Sequence, residues 1–164
     1  MMLEAVPNIQ QIEEVKKGSF EPLILSTKEH FDVYWPEIAP MIDKCMHKAT
    51  HGELTLQDIY DKCTAGYMNI FVVKDDSGES PDVPLVLVTE LVNYPRLTAL
   101  RIVALGGTSL DKYYGKFWTK FCGWAYMNGV RAIEGLVSPA MERIISRYGF
   151  EHVYTHMRLD LTEE

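Results

Sequence analysis

The sequence is short of three things, each of which would point to a class of function. The first is cysteine. Cys45, Cys63 and Cys122 are the three in 164 residues. They are odd in number and form no CxxC pair, so a disulfide framework and a redox dithiol are excluded. The expectation is reduced core thiols in a cytoplasmic protein. The second is positive charge. Lysine and arginine total 16 against 23 acidic residues, a net charge of −7, so the clustered basic surface that nucleic acid requires is missing. The third is apolar length. No run reaches the ~18 residues of a membrane-spanning helix, so no membrane partner is expected. The first residues include Glu4 and hold no apolar signal core. No internal repeat, low-complexity tract, G-x-S-x-G elbow, phosphate loop or dinucleotide fingerprint occurs.

What is present is an ordinary core-forming composition, 47% apolar and 24% charged, suited to one domain. Residues 1–18 read as a helical arm. Pro7 suits the first helical position, Ile9, Ile12 and Val15 recur at every third residue, and Gly18 stops the helix. The arm either packs on its own domain or docks on a partner. Residues 19–164 read as a single domain. Phe20 to Leu25 is a strand that Pro22 places at a sheet edge. Ser26 and Glu29 make a capping box for a helix that Trp35-Pro36 is expected to break, with a second piece from Pro36 to Ala49. Thr55 and Asp58 start the next helix, whose apolar face is Leu56, Ile59, Tyr60 and Cys63 and whose stop is Gly66. A short strand, Asn69 to Val73, leads into an acidic loop holding Asp75, Asp76, Glu79 and Asp82, without the spacing of a calcium loop.

The chain is organised around Arg96 to Gly129. Pro84 to Val92 and Leu97 to Leu105 are two apolar, β-branched runs joined by Asn93-Tyr94-Pro95-Arg96, a hairpin of central strands. A tight Gly106-Gly107-Thr108-Ser109 turn follows. Then comes a long helix with Leu110, Tyr114, Phe117, Trp118, Phe121 and Ala125 on one face, and Asn128-Gly129 as its left-handed stop. Val130 to Val137 is the next strand. Ser138-Pro139 caps a helix whose buried face is Met141, Ile144, Ile145 and Tyr148, and Phe150 to Leu161 is the expected last strand. In that last strand His152, Tyr154, His156 and Arg158 share a face, which suits a substrate groove, a subunit contact or a solvated surface. The class is α/β (α+β), with a mixed central sheet of about six strands flanked by helices. The meander is antiparallel and the late strands are parallel.

Glu90 is the one carboxylate inside the two central strands. Burial could tune it as a general base, or it could pair with Arg101 directly across the hairpin. His47 and His51 with Cys45 have zinc-like spacing but no further ligand cluster, so no metal is expected.

The Leu97–Leu105 strand, the Gly106–Ser109 turn with its helix, and Ser138-Pro139 through Arg147-Tyr148-Gly149-Phe150 resemble the GNAT superfamily of acyl-CoA N-acyltransferases, over roughly Leu23 to Leu159. Trp35-Pro36, Tyr94-Pro95 and Gly106-Gly107 resemble, more narrowly, small GNAT-like proteins of tailed bacteriophages and prophages. The wider resemblance implies acetyl-CoA as co-substrate and a small-molecule or protein amine as acceptor. Its pyrophosphate would lie on the helix-start N–H groups of Gly106, Gly107, Thr108 and Ser109, and its thioester arm along Val103, Ala104 and Leu105. Glu90 would be the base and Tyr148 the acid. The narrower one implies host cytoplasm or virion. Thr108, which can cap the helix unaided, Asp111, which repels phosphate in the first turn, and Ile145, where the family places its tyrosine, favour a rival: a GNAT-fold protein without catalysis, serving as a binding or assembly module with a protein partner or as a homo-oligomer.

Overall fold

The computed structural model describes residues 20–76, 82–107 and 110–162. The expected arm at 1–18, the middle of the acidic loop and Thr108-Ser109 lie outside the described residues. Five strands form one mixed sheet in sequence order: β1 (Phe20–Leu25), β2 (Met68–Asp75), β3 (Leu85–Asn93), β4 (Thr98–Gly107) and β5 (Ala132–Gly135). The first four are an antiparallel meander and β5 runs parallel to β4. β1 with Pro22 is an edge strand, as proline in a strand requires.

The central strands read as unbroken apolar runs because both faces of the sheet are covered. In β2 and β3, alternation sends Ile70, Val72, Val86 and Val88 to one layer and Phe71, Val73, Leu85 and Leu87 to the other. The first layer meets α1 (Lys28–Ala49) and α2 (Leu56–Thr64) through Phe31, Ile38, Ile42 and Ile59. The second meets α3 (Leu110–Met127) through Tyr113, Phe117, Phe121 and Ala125. Phe71 stands edge-on to Phe121 and Trp124, at centroid distances of 5.0 and 4.8 Å, a favourable ring geometry. Of the expected α3 face, Phe117, Trp118, Phe121 and Ala125 lie in this layer and the side chains of Leu110 and Tyr114 are outside the described ones; Tyr113 is a buried member that the spacing did not single out. Its hydroxyl donates to the buried Asp75 carboxylate at 2.6 Å and ties the start of α3 to the end of β2.

Three expectations are corrected. Trp35-Pro36 does not break the first helix, because α1 runs from Lys28 to Ala49 with Pro36 and Pro40 inside it. Both prolines sit on the exposed side, where water can serve the carbonyls left without a donor, while the face of Phe31, Ile38, Ile42 and Met46 stays continuous. Its cap is Thr27, which accepts from His30 N–H, one residue later than expected. The box of Thr55 and Asp58 at α2 forms as read.

Gly106 and Gly107 belong to β4 and not to the turn. α1 crosses so near that a Cβ on Gly106 would stand 2.9 Å from the Met41 carbonyl oxygen. Gly107 has φ 143°, and its Cβ would run into the Pro84 carbonyl. The glycines therefore serve close backbone approach. Third, the described residues give the sheet five strands. Phe150 to Leu161, expected as the last strand, forms no regular element, and 151–162 are exposed throughout. β5 is four residues long and no described strand lies beyond it, so this segment finds no ladder within the described chain.

Candidate active site

Among the described residues, the sheet parts between β4 and β5. β4 and β5 pair over Ala99–Ile102 and Ala132–Gly135, and no further. From Val103 to Gly107, β4 keeps its partner β3 but has none on the β5 side. At this point β4 also carries a bulge. Val88 pairs with Ala104 and Thr89 with Ile102, so Val103 is an extra residue. A bulge leaves main-chain groups out of the ladder and turns the strand. The split and the bulge coincide at the stretch expected to hold the thioester arm, Val103, Ala104 and Leu105. The bulge was not legible, because Val103 and Ala104 lie inside a uniformly apolar run.

Below the split, a charged row crosses three strands. Arg101 lies opposite Glu90 in β3 and Glu134 in β5, with nitrogen–oxygen distances of 3.5 and 3.4 Å. The Tyr94 hydroxyl donates to Glu134 at 2.7 Å. That bond pushes the Tyr94 phenol above its usual range. Burial pulls the Arg101 guanidinium down, but Tyr94, Glu134 and Glu90 outweigh it and the net shift is upward. Two carboxylates share one guanidinium, so the row is net anionic. Glu90 is thus in the expected ion pair, yet its side chain stays 29% exposed and a carboxylate has further lone pairs to offer. Glu134 was not singled out from sequence, and Tyr94 was noted for its turn with Pro95 and not for the site, although Glu134 is the one charge in β5 and so carried a signal.

Two further features flank the split. Thr89 Oγ1, at the first pair below the bulge, is buried without a hydrogen-bond partner. On the α1 side, the Cys45 sulfur would lie 3.6 Å from a Gly106 Cβ. Burial raises its thiol pKa, against the pull of backbone hydrogen bonds that include the Leu105 N–H. Burial likewise pushes Cys63 and Cys122 up to about 12. The remaining expected site residues are on other elements. Tyr148 is half-buried in the short turn Ser146–Tyr148 after α4 (Pro139–Ile145), directly before Gly149 with φ 94°. Ile145 is buried. Thr108 and Ser109 are outside the described residues. An open groove of about 360 Å³ beside the end of α1, lined by Asp43, His47, Thr50 and Leu54, is a separate feature. Among the described residues, no group of three or more potential metal ligands occurs, and no helix is long and apolar enough to cross a membrane.

The mixed sheet flanked by helices matches the fold of solved acetyltransferases, a GNAT family member among them. Solved structures similar to the chain include an aminoglycoside acetyltransferase from an uncultured soil metagenomic sample, in complex with trehalose, at a TM-score of 0.64 and 10% identity, covering 89% of this chain and 99% of that one. A GNAT family acetyltransferase from Staphylococcus aureus has a TM-score of 0.60 and 11% identity, covering 88% and 100%. A predicted acetyltransferase from Clostridium acetobutylicum, solved with acetyl-CoA, has 0.61 and 8%, covering 86% and 96%. No family model matches the sequence, and no curated protein matches it.

Proposed function

We propose that the protein is an acetyl-CoA-dependent N-acyltransferase. The observation that carries this reading is the parting of β4 from β5 beyond Ile102 and Gly135, with the Val103 bulge at the fork. An extended thioester arm needs main-chain donors and acceptors that no strand has used, and Val103 to Gly107 offer them on the β5 side. The pyrophosphate would lie at the start of α3, where the helix-start N–H groups favour an anion. The solved structure with acetyl-CoA shares this fold.

The acceptor is a small amine that is cationic in solution. Glu90 and Glu134 outnumber Arg101 and would draw such a cation to the fork. The bound ammonium first loses one proton to bulk water. The amine nitrogen attacks the thioester carbonyl, a C–N bond forms, Glu90 takes the second proton from that nitrogen directly or through water, the C–S bond breaks, and Tyr148 gives the thiolate its proton. Positioning supplies most of the rate.

Thermal unfolding with and without millimolar acetyl-CoA tests this. At ~100 times its Kd a ligand adds about 2.7 kcal/mol, which is roughly 5–11 °C for a domain of this size. Gly135→Phe is the control, because Gly135 faces Ile102 at the fork and a Cβ there meets nothing closer than 3.4 Å. The shift should vanish in that variant, whose cooperative melt without ligand shows that it is folded. No shift in the wild type overturns the reading.

One observation favours a second reading, a GNAT-fold binding or assembly module without catalysis. Met41 and Cys45 already lie over Gly106, where a ligand arm would pass. A phage setting rests on the Trp35-Pro36, Tyr94-Pro95 and Gly106-Gly107 pairs alone.

A further inference from the structure

We propose that Thr155, His152 and Glu142 form a surface acyl-accepting centre, outside the fork, in which the Thr155 hydroxyl takes an acyl group from activated esters and thioesters. The inference is independent of whether the fork binds acetyl-CoA. The local fold brings the three residues together. Ser138 caps α4 and sets Glu142 in its first turn. Gly149 turns the chain at φ 94°, and residues 152–155 return beside α4. His152 Nδ1 then lies 2.7 Å from Glu142 Oε1, and Thr155 Oγ1 lies 3.4 Å from His152 Nε2. Chemistry fixes the direction of both bonds. A carboxylate only accepts, so Nδ1 carries the proton, and Nε2 of the neutral ring keeps its lone pair. Toward that nitrogen the Thr155 hydroxyl can only donate. This is the order of nucleophile, base and orienting carboxylate that activates a hydroxyl.

Three further observations fit an acyl acceptor better than a mere tether. The segment is already held on both sides of Thr155, by Phe150 against Trp118 at 5.4 Å and by Arg158 on Glu53 at 2.9 Å. These anchors keep the three groups in position before a donor arrives. The side chains of His152 and Glu142 are 55% and 41% exposed, and Thr155 is exposed, so a bulky acyl donor can reach the hydroxyl. Residues 151–162 make no main-chain to main-chain hydrogen bond among the described residues, which leaves an amide beside Thr155 able to donate to the oxyanion. The step balances. Thr155 Oγ1 attacks the acyl carbonyl carbon, and its proton passes to His152 Nε2. The bond from that carbon to the leaving oxygen or sulfur breaks, and Nε2 returns the proton to the departing group. The products are an ester at Thr155 and a free alcohol, phenol or thiol.

The test treats the full chain with para-nitrophenyl acetate, maps acid-quenched samples by peptide mass and follows nitrophenolate by absorbance. Thr155 should gain an acetyl ester that hydroxylamine removes. It should do so about a hundred times faster than Thr64, an exposed threonine whose hydroxyl donates to the Tyr60 and Asp61 carbonyls. His152→Gln should bring Thr155 down to the Thr64 rate. Glu142→Gln, which keeps the shape and removes the charge, should fall between. Thr155→Val should lose the ester and the matching share of nitrophenolate release. The ratio of the two threonines within one molecule is a readout that a purely structural role would not move. If His152→Gln does not melt cooperatively, Glu142→Gln decides. A wild type with neither a faster ester at Thr155 nor nitrophenolate release that depends on Thr155 overturns the proposal. A folded His152→Gln, or Glu142→Gln in its place, that keeps the wild-type rate overturns it too.

Discussion

The two sides of β4 differ sharply. Toward β3 its ladder is continuous apart from one bulge, and the meander is sealed above and below by helices. Toward β5 it is paired for four residues and then open. The closed side is where burial supplies stability. The open side pairs less of its main chain among the described residues and is where the charged row of Glu90, Arg101 and Glu134 lies. The same sheet thus separates what holds it together from what it offers.

The largest expected effect lies on the closed side. Phe117→Ala removes a ring 2% exposed between Phe71 and Phe121, and should cost about 3–5 kcal/mol in denaturant unfolding. A loss under one would mean that the α3 layer is not the core it looks to be. Tyr113→Phe takes one donor from the buried Asp75 carboxylate and should cost about 1–3 kcal/mol.

Thr89→Val should move stability the other way. It replaces a buried hydroxyl without a partner by a methyl of similar shape, and recovers about 1–2 kcal/mol of desolvation. A lower melting point would show that the hydroxyl is bonded after all. Smallest is the acid response of the C-terminal segment. Hydrogen bonding from Arg158 lowers Glu53 from 4.5 to about 2. A carboxyl lowered in the folded state stabilises fully above its unfolded value and loses that contribution as pH falls through the folded one. The Arg158 tie should therefore be intact at neutral pH and released between about 4.5 and about 2. The Glu53 carboxyl resonance reports it, and Glu53→Gln should abolish the response. A midpoint near 4.5 would deny the tie.

The closed side was the legible one. The capping box of Thr55 and Asp58, the α3 face with its Asn128-Gly129 stop and the apolar central strands follow from local rules, and each local preference agrees with the fold. The pairing of Glu90 with Arg101 was expected too, but its register comes from a turn at 94–97, one residue later than the Asn93–Arg96 turn that was read. What the sequence hid depends on contacts far along the chain. Gly106 and Gly107 look like a turn, and only the passage of α1 over β4 shows why no side chain fits there. Trp35-Pro36 looks like a break, and only the solvation of that face removes the penalty. Residues 150–161 look like a strand, and no rule of pattern says whose sheet a strand joins. Tyr148 was expected on the buried face of a helix that instead ends at Ile145, and it lies in the short turn that follows; which side chains share a site with it is a question of tertiary placement.

Val103 does more than bend the strand. It resets the odd–even count of β4. Before it, Leu100 and Ile102 face α3; after it, Leu105 does, while Val103 and Ala104 side with α1. The strand therefore has two reading frames, as a coding sequence does around an inserted base. Deleting Val103 would merge the two frames into one: Ile102 and Leu105 would still face α3 and Ala104 would still face α1, so the layers would survive while the bend at the fork was lost.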